Sequence, residues 1–178
     1  ASSTSGVCPT PFSAARARQA LILRPIEPRD DPALAQLVRS SLAAHGLNIP
    51  GTAYFDPELD RLSGFYRGHP GRGYFVLEDA GELAGGVGVA EYAPRDGCAE
   101  LQKLYLTNRL KGQGLGYLLL DKAIALAREL GYRELYIETH HNLNAAVHLY
   151  RKRGFVPFTP SREQMMHQTM DLFFLKEL

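Results

Sequence analysis

The chain has no excess of basic charge. Among its 178 residues, Lys and Arg number 20 and Asp and Glu 19, for a net charge of +1. A domain that grips a nucleic-acid duplex draws most of its affinity from neutralising phosphates, so this balance argues against nucleic acid as the main partner. Cysteine is nearly absent too. The two present, Cys8 and Cys98, are isolated in a chain long enough to bury a sizeable core. They read as reduced thiols of a cytoplasmic protein rather than as a disulfide framework. No apolar run approaches the ~18 residues a membrane helix needs, so no membrane partner is expected. The first residues, ASSTSGVCPTPFSAARARQA, contain no continuous apolar segment of the secretory-leader kind. No internal repeat is visible.

What is present suits one globular domain: 45% of residues are hydrophobic and 22% charged, close to average usage. Residues 1–19 carry Pro9 and Pro11 and no periodicity, and are expected to form a flexible arm, with 20–178 as a single domain. Leu21 to Arg24 reads as a first strand stopped at Pro25. Asp31-Pro32 reads as a helix start, with the carboxylate as cap and Leu34, Leu37, Val38 and Leu42 facing inward up to Gly46. Asp56-Pro57 repeats the signal for a second helix. Gly73–Glu78 and the glycine-rich Leu83–Ala93 form a hairpin, followed by a fourth strand over Cys98–Leu106.

The next stretch carries the clearest chemistry. Thr107-Asn108 leads into Arg109-Leu110-Lys111-Gly112-Gln113-Gly114-Leu115-Gly116 and then directly into a helix whose apolar stripe is Leu119, Ala123, Leu126, Ala127 and Leu130. A strand, a glycine turn and a helix N-terminus together make an anion site, because free N–H groups of the first turn can approach phosphate oxygens without side chains intervening. Leu135–Thr139 is a fifth strand, parallel to the fourth by the β-α-β rule. A short helix over Asn144–Arg153, a sixth strand over Phe155–Phe158 and a seventh over Met165–Leu175 complete the pattern.

A dinucleotide fingerprint fits poorly. Counted from Gly112 the sixth position is Tyr117, and counted from Gly114 it is Leu119, although Glu138 stands where a ribose-binding acid would. A nucleotide P-loop fails because no Gly-Lys-Ser/Thr follows.

Two motifs in register carry a family resemblance. Arg109-Leu110-Lys111-Gly112-Gln113-Gly114 resembles the Arg/Gln-x-x-Gly-x-Gly/Ala signature of the GNAT superfamily of acyl-CoA-dependent N-acetyltransferases. Leu149-Tyr150-Arg151-Lys152-Arg153-Gly154-Phe155 is similar to that family's Leu-Tyr-x-x-x-Gly-Phe segment. The resemblance implies an α/β fold of the α+β type: a mixed, mostly antiparallel sheet of about seven strands, its parallel fourth and fifth strands splayed, flanked by about four helices. It implies acetyl-CoA as co-substrate and an amine as acceptor. In that reading the backbone of Leu104, Tyr105 and Leu106 pairs with the pantetheine arm. The amides of Gly112, Gln113, Gly114, Leu115 and Gly116 cradle the pyrophosphate, and Arg109 and Lys111 add charge there or are simply solvated.

By motif position Tyr150 resembles the family's general acid: a phenol of pKa ~10 stays protonated at neutral pH and can donate to a departing thiolate. Its spacing equally suits a core aromatic of the short helix. Glu100 resembles the glutamate that several members use as base, or is an ordinary surface carboxylate on a strand, or one pairing with Lys103. The family's cofactor-bonding asparagine falls seven residues before the tyrosine, at Leu143 here. That makes the neighbouring Asn144 the candidate and leaves Asn142 as the expected helix cap. His140, His141 and His148 match no standard zinc spacing, so no metal is expected. A scaffold that binds acyl-CoA without catalysis is the alternative reading. The acceptor wall is expected over 44–71 and 159–164, offering Tyr54, Phe55, Asp56, Glu58, Asp60, Tyr66, Arg67 and Arg162. A homodimer is the prior for a small enzyme.

Overall fold

The structure, a computed structural model, describes residues 21–178. The expected N-terminal arm and Cys8 lie outside the described residues. Seven strands form one sheet: β1 Ile22–Pro25, β2 Gly73–Asp79, β3 Glu82–Glu91, β4 Cys98–Leu106, β5 Glu134–Thr139, β6 Val156–Pro157 and β7 Leu172–Glu177, in the order β1-β2-β3-β4-β5-β7-β6. All neighbours are antiparallel except β4 and β5. Helices α1 Asp31–Ala44 and α2 Leu62–Tyr66 cover one face, and α3 Leu115–Glu129 and α4 Asn144–Lys152 the other. The mixed sheet with one parallel pair and four helices is the fold expected from the motifs.

Two helix starts differ from expectation. The Asp31 carboxylate does not cap α1. A 3-10 turn over Pro28–Asp30 leads into the helix, and Asp31 instead accepts from the Ser63 N–H at 2.8 Å and the Ser63 hydroxyl at 2.6 Å, tying α1 to α2. Leu34, Ala35, Val38 and Leu42 form the buried face of α1, with Leu37 only half-buried. Asp56 does not start a long second helix. It is extended (ψ 129°), as a residue before proline prefers, and only a 3-10 turn over Leu59–Arg61 and the short α2 follow.

The glycines of β3 have a packing cause. A Cβ on Gly86 would lie 2.5 Å from the Tyr74 ring, and one on Gly88 would lie 2.5 Å from Tyr74 and 2.9 Å from the Tyr66 hydroxyl. Both rings, fully buried, therefore lie directly on the β3 backbone. Opposite them β4 bulges. Gly88 pairs with Gln102 but Gly86 pairs with Tyr105, so Lys103 and Leu104 share one place in the ladder and Lys103 takes φ +50°. The freed Lys103 carbonyl accepts the Tyr74 hydroxyl at 2.8 Å.

The seventh strand begins at Leu172, not Met165. The Glu138 carboxylate accepts the N–H groups of Met166 at 2.6 Å and His167 at 2.7 Å, so these amides are bonded to a side chain instead of a strand ladder. The segment 162–171 consequently runs as an irregular strap beside the sheet. Behind it, Tyr92 stacks on Tyr136 with ring centroids 3.9 Å apart, next to a buried, free Cys98.

Candidate active site

The parallel pairing of β4 and β5 lasts for three registers, Cys98 with Glu134, Ala99 with Leu135 and Glu100 with Tyr136. Past Glu100 the strands separate, because β5 continues along β7 while β4 follows β3 around its bulge. The β5-facing backbone groups of β4 beyond that point have no strand partner. A cleft of about 620 Å³ opens in this wedge, running from Leu104, Tyr105 and Leu106 at the strand to the glycine turn at one end and Glu100 at the other.

The turn is built for backbone exposure. Gly112 and Gly114 hold φ +79° and +78°, a left-handed conformation that other residues adopt at a cost, and a Cβ on either would meet nothing within 4 Å. Gly114 precedes α3, so the N–H groups of Leu115, Gly116 and Tyr117 in its first turn have no intrahelical acceptor. Lys111, Gly112, Gly114 and Gly116 line the cleft. Gly116 has a second role: a Cβ there would lie 2.8 Å from Leu149, so its absence lets α4 approach α3. Arg109 is not among the lining residues; its guanidinium is paired with Asp79. Gln113 is exposed and turned back onto the Arg109 carbonyl at 3.3 Å.

On α4, Asn144 and Tyr150 face the cleft. Tyr150 is buried against Phe155 and Phe174, and burial raises its phenol above the usual tyrosine range. It is therefore both a core aromatic and a cleft-facing group. Asn142 does not cap α4. The N-cap position is Leu143, without a side-chain cap bond, and the Asn142 amide donates to the His45 carbonyl at 3.0 Å, linking this loop to the end of α1.

At the other end Glu100 is only 5% exposed. Its Oε1 accepts from Gln102 Nε2 at 3.2 Å, while Oε2 has no hydrogen-bond partner. Burial, followed by the charge of Glu138, pushes its carboxyl up to about 7; the charges of His167 and Lys103 oppose this. Lys103 does not pair with Glu100. Its Nζ donates to Asp56 Oδ2 at 2.8 Å and lies 3.7 Å from Glu58. His167, from the strap, places Nε2 2.8 Å from Asp56 Oδ1 and Nδ1 3.6 Å from Glu138. Burial alone would lower the His167 imidazole, but its bonds to Asp56 and Glu138 prevail and carry it up to about 10. It is a cation at neutral pH.

Of the expected acceptor-wall residues, Asp56 belongs to this network and Tyr66 hydrogen-bonds Gln102, whereas Asp60 pairs with Arg39 on the surface. Glu138, the acid that a ribose would require, is consumed by Met166, His167 and the Tyr136 hydroxyl. The sequence marks Glu138 only as a ribose acid, and marks neither Gln102 nor His167 as a site residue. Gln102 was within reach, since residues i and i+2 of a strand share a face, but no local pattern marks His167.

His140, His141 and Asp171 gather their ligand atoms within 4.8 Å of one another. The set is poorly suited to a metal. The Asn142 N–H donates to His140 Nδ1 at 3.1 Å, so a neutral ring carries its proton on Nε2, the atom that faces Asp171. His141 is engaged with the same carboxylate through its backbone and ring nitrogens.

The model of the Acetyltransferase (GNAT) family matches residues 41–155, which include the wedge, the turn and α4. The chain belongs to this family. A relative from Escherichia coli (strain K12), the uncharacterized N-acetyltransferase YjgM, is 34% identical over 164 residues, covering 91% of this chain and 98% of that protein. N-acetyltransferase 8 of Rattus norvegicus is 31% identical over 93 residues, 51% of this chain and 42% of its own. A GNAT-family acetyltransferase structure from Staphylococcus aureus superposes with a TM-score of 0.76 at 16% identity, covering 89% of this chain and 99% of that one. The PaiA N-acetyltransferase of Thermoplasma acidophilum, solved in complex with coenzyme A, gives 0.67 at 17% identity over 89% and 99%. These structural likenesses speak for the fold; the family match and the E. coli relative identify this GNAT protein as an N-acetyltransferase. Among the described residues no helix is long and apolar enough to cross a membrane.

Proposed function

We propose that this GNAT protein moves an acetyl group from acetyl-CoA to a primary amine of a small molecule, amino acid or peptide, by direct attack within a ternary complex. The observation that carries the reading is the unpartnered Oε2 of buried Glu100 in the same cleft as Tyr150 and the glycine turn. The residues fit a coenzyme A thioester. Free first-turn amides and the open space over Gly112 and Gly114 suit a pyrophosphate, with Lys111 beside it. The unpaired edge of β4 suits an amide-bearing arm lying along it as a partial strand. Asn144, at the start of α4, is a further hydrogen-bonding group on that path. Arg109 contributes only if it leaves Asp79.

In this reading Glu100 Oε2 takes a proton from the incoming ammonium, freeing the nitrogen lone pair. A carboxyl poised near 7 is matched to that task at neutral pH. The nitrogen–carbon bond forms, the carbon–sulfur bond breaks, Tyr150 gives its phenolic proton to the departing sulfur, and the second proton that the nitrogen sheds on becoming an amide returns the Tyr150 phenolate to its neutral form. Burial keeps that phenol protonated until a thiolate develops beside it. Among the described residues, direct attack is favoured over a covalent acetyl-cysteine because Cys98 lies outside the cleft lining and burial pushes its thiol up to about 12.

The test is free-thiol release from acetyl-CoA across a panel of amines, amino acids and peptides, alongside titration with acetyl-CoA and with NAD. Turnover with a subset of primary amines and binding of acetyl-CoA alone are expected. Binding of NAD in place of acetyl-CoA would overturn the reading.

A further inference from the structure

The base assigned to Glu100 needs one of its oxygens fixed and the other free, and the structure contains a device that does this. We propose that Tyr66 and Gln102 form a positioning relay that fixes Glu100 Oε1 and directs proton uptake to Oε2. This rests on the reading of Glu100 as the base.

The relay begins at Tyr66 of α2, which is 2% exposed and held edge-on to Phe65 and against Tyr74. Its hydroxyl donates to Gln102 Oε1 at 2.6 Å. The Gln102 amide is thereby oriented with its nitrogen toward Glu100, and Nε2 donates to Oε1 at 3.2 Å. The opposite amide orientation would set a carbonyl oxygen against the carboxylate and is disfavoured whenever Glu100 is ionised. Oε1 is thus occupied by a donor, and the proton goes to Oε2, which has no partner.

Local backbone secures the arrangement. Gln102 stands directly opposite Gly88 in the β3–β4 ladder, and Gly88 leaves room for the Tyr66 hydroxyl that any Cβ would crowd to 2.9 Å. The bulge begins at the next residue, so Gln102 is the last position of β4 that shares the Glu100 face in regular alternation. A donor to the charged form of a carboxylate lowers its pKa, so the relay counteracts the desolvation of Glu100.

Other titratable groups face Glu100 and bear on its ionisation. They are Glu138 on β5, His167 on the strap, Lys103 and Cys98 on β4, Tyr66 on α2 and Tyr92 after β3. His45, at the end of α1, lines the same cleft. None of them donates to Oε1, which is the contact the relay supplies.

The experiment is the pH profile of kcat/KM for an accepted amine in wild type, Tyr66→Phe, Gln102→Leu and Glu100→Gln, with acetyl-CoA affinity measured for each. Removing the Gln102 donor is expected to move the acid limb up by about one pH unit, and so to lower the rate below the limb about tenfold. Tyr66→Phe, nearly isosteric, is expected to move it in the same direction by less. Acetyl-CoA affinity should stay within about twofold in both, which also reports an intact fold. An acid limb unmoved in both variants, with Glu100→Gln inactive, would overturn the relay and leave the base assignment standing. Undiminished turnover in Glu100→Gln would overturn the base assignment and the relay with it.

Discussion

The imidazole Nε2 of His167 stands 2.8 Å from Oδ1 of Asp56, and the contact joins the segment between α1 and α2 to the strap. Thr169 supports the same junction, its N–H donating to the Gly51 carbonyl at 3.1 Å and its hydroxyl to the Pro50 carbonyl at 2.6 Å. With the His167 imidazole raised from an unfolded value near ~6.5 to about 10, the folded state binds a proton that the unfolded chain releases. The stabilisation is therefore complete below ~6.5 and fades as pH rises through about 10. His167→Gln is expected to cost about 2–3 kcal/mol in urea unfolding at pH 6, a difference that shrinks as pH approaches 10. A cost that is constant across this range would show that the imidazole contributes shape rather than charge.

Glu100 has the opposite consequence for stability. Its carboxyl, raised to about 7 by burial first, retains a proton that an unfolded glutamate loses near ~4.3. Stability is thus drained as pH rises across that window, and the ionised carboxylate carries its full cost above about 7. Glu100→Gln is expected to unfold at higher urea than wild type at pH 8, by about 1–2 kcal/mol, with little difference at pH 4. Turnover should fall by about a hundredfold or more. Unfolding curves at the two pH values and the initial rate of thiol release check both parts.

Tyr150→Phe keeps the ring that packs on Phe155 and Phe174 and removes only the hydroxyl. The variant should bind acetyl-CoA nearly as wild type does. Its kcat is expected to drop by about 10²-fold, because no proton reaches the leaving sulfur from the protein. Calorimetric titration together with steady-state rates separates this from a packing defect, which would weaken binding and lower the melting temperature together.

Gly86→Ala would set a Cβ 2.5 Å from the Tyr74 ring and 2.6 Å from its hydroxyl, the group that bonds the bulge carbonyl of Lys103. Tyr74 is fully buried and cannot swing away. A loss of about 1–3 kcal/mol is expected, read from thermal or urea unfolding. The same substitution at Gly81, a φ +81° turn glycine with nothing within 4 Å, should cost backbone strain alone, about 1 kcal/mol.

The parts of this protein legible from sequence are those decided locally. The glycine turn and the apolar stripe of α3 sit in consecutive residues, and their spacing alone implies the strand, turn and helix. Glycines in β3 were visible as a peculiarity, but their purpose depends on Tyr66 and Tyr74, which arrive from elsewhere in the chain. The bulge at Lys103 follows from that packing and has no signal of its own. Residues 165–171 alternate like a strand, yet the Glu138 carboxylate takes two of their amides, so β7 starts only at Leu172. Asp31 and Asn142 have the composition of caps; each is bonded instead to a distant partner, Ser63 and His45.

Direct transfer between two bound substrates is most directly tested by initial rates of thiol release measured over a matrix of acetyl-CoA and amine concentrations. Double-reciprocal lines that intersect are expected, as a ternary complex requires. Parallel lines, the mark of an acetyl group parked on the protein before the amine arrives, would contradict it.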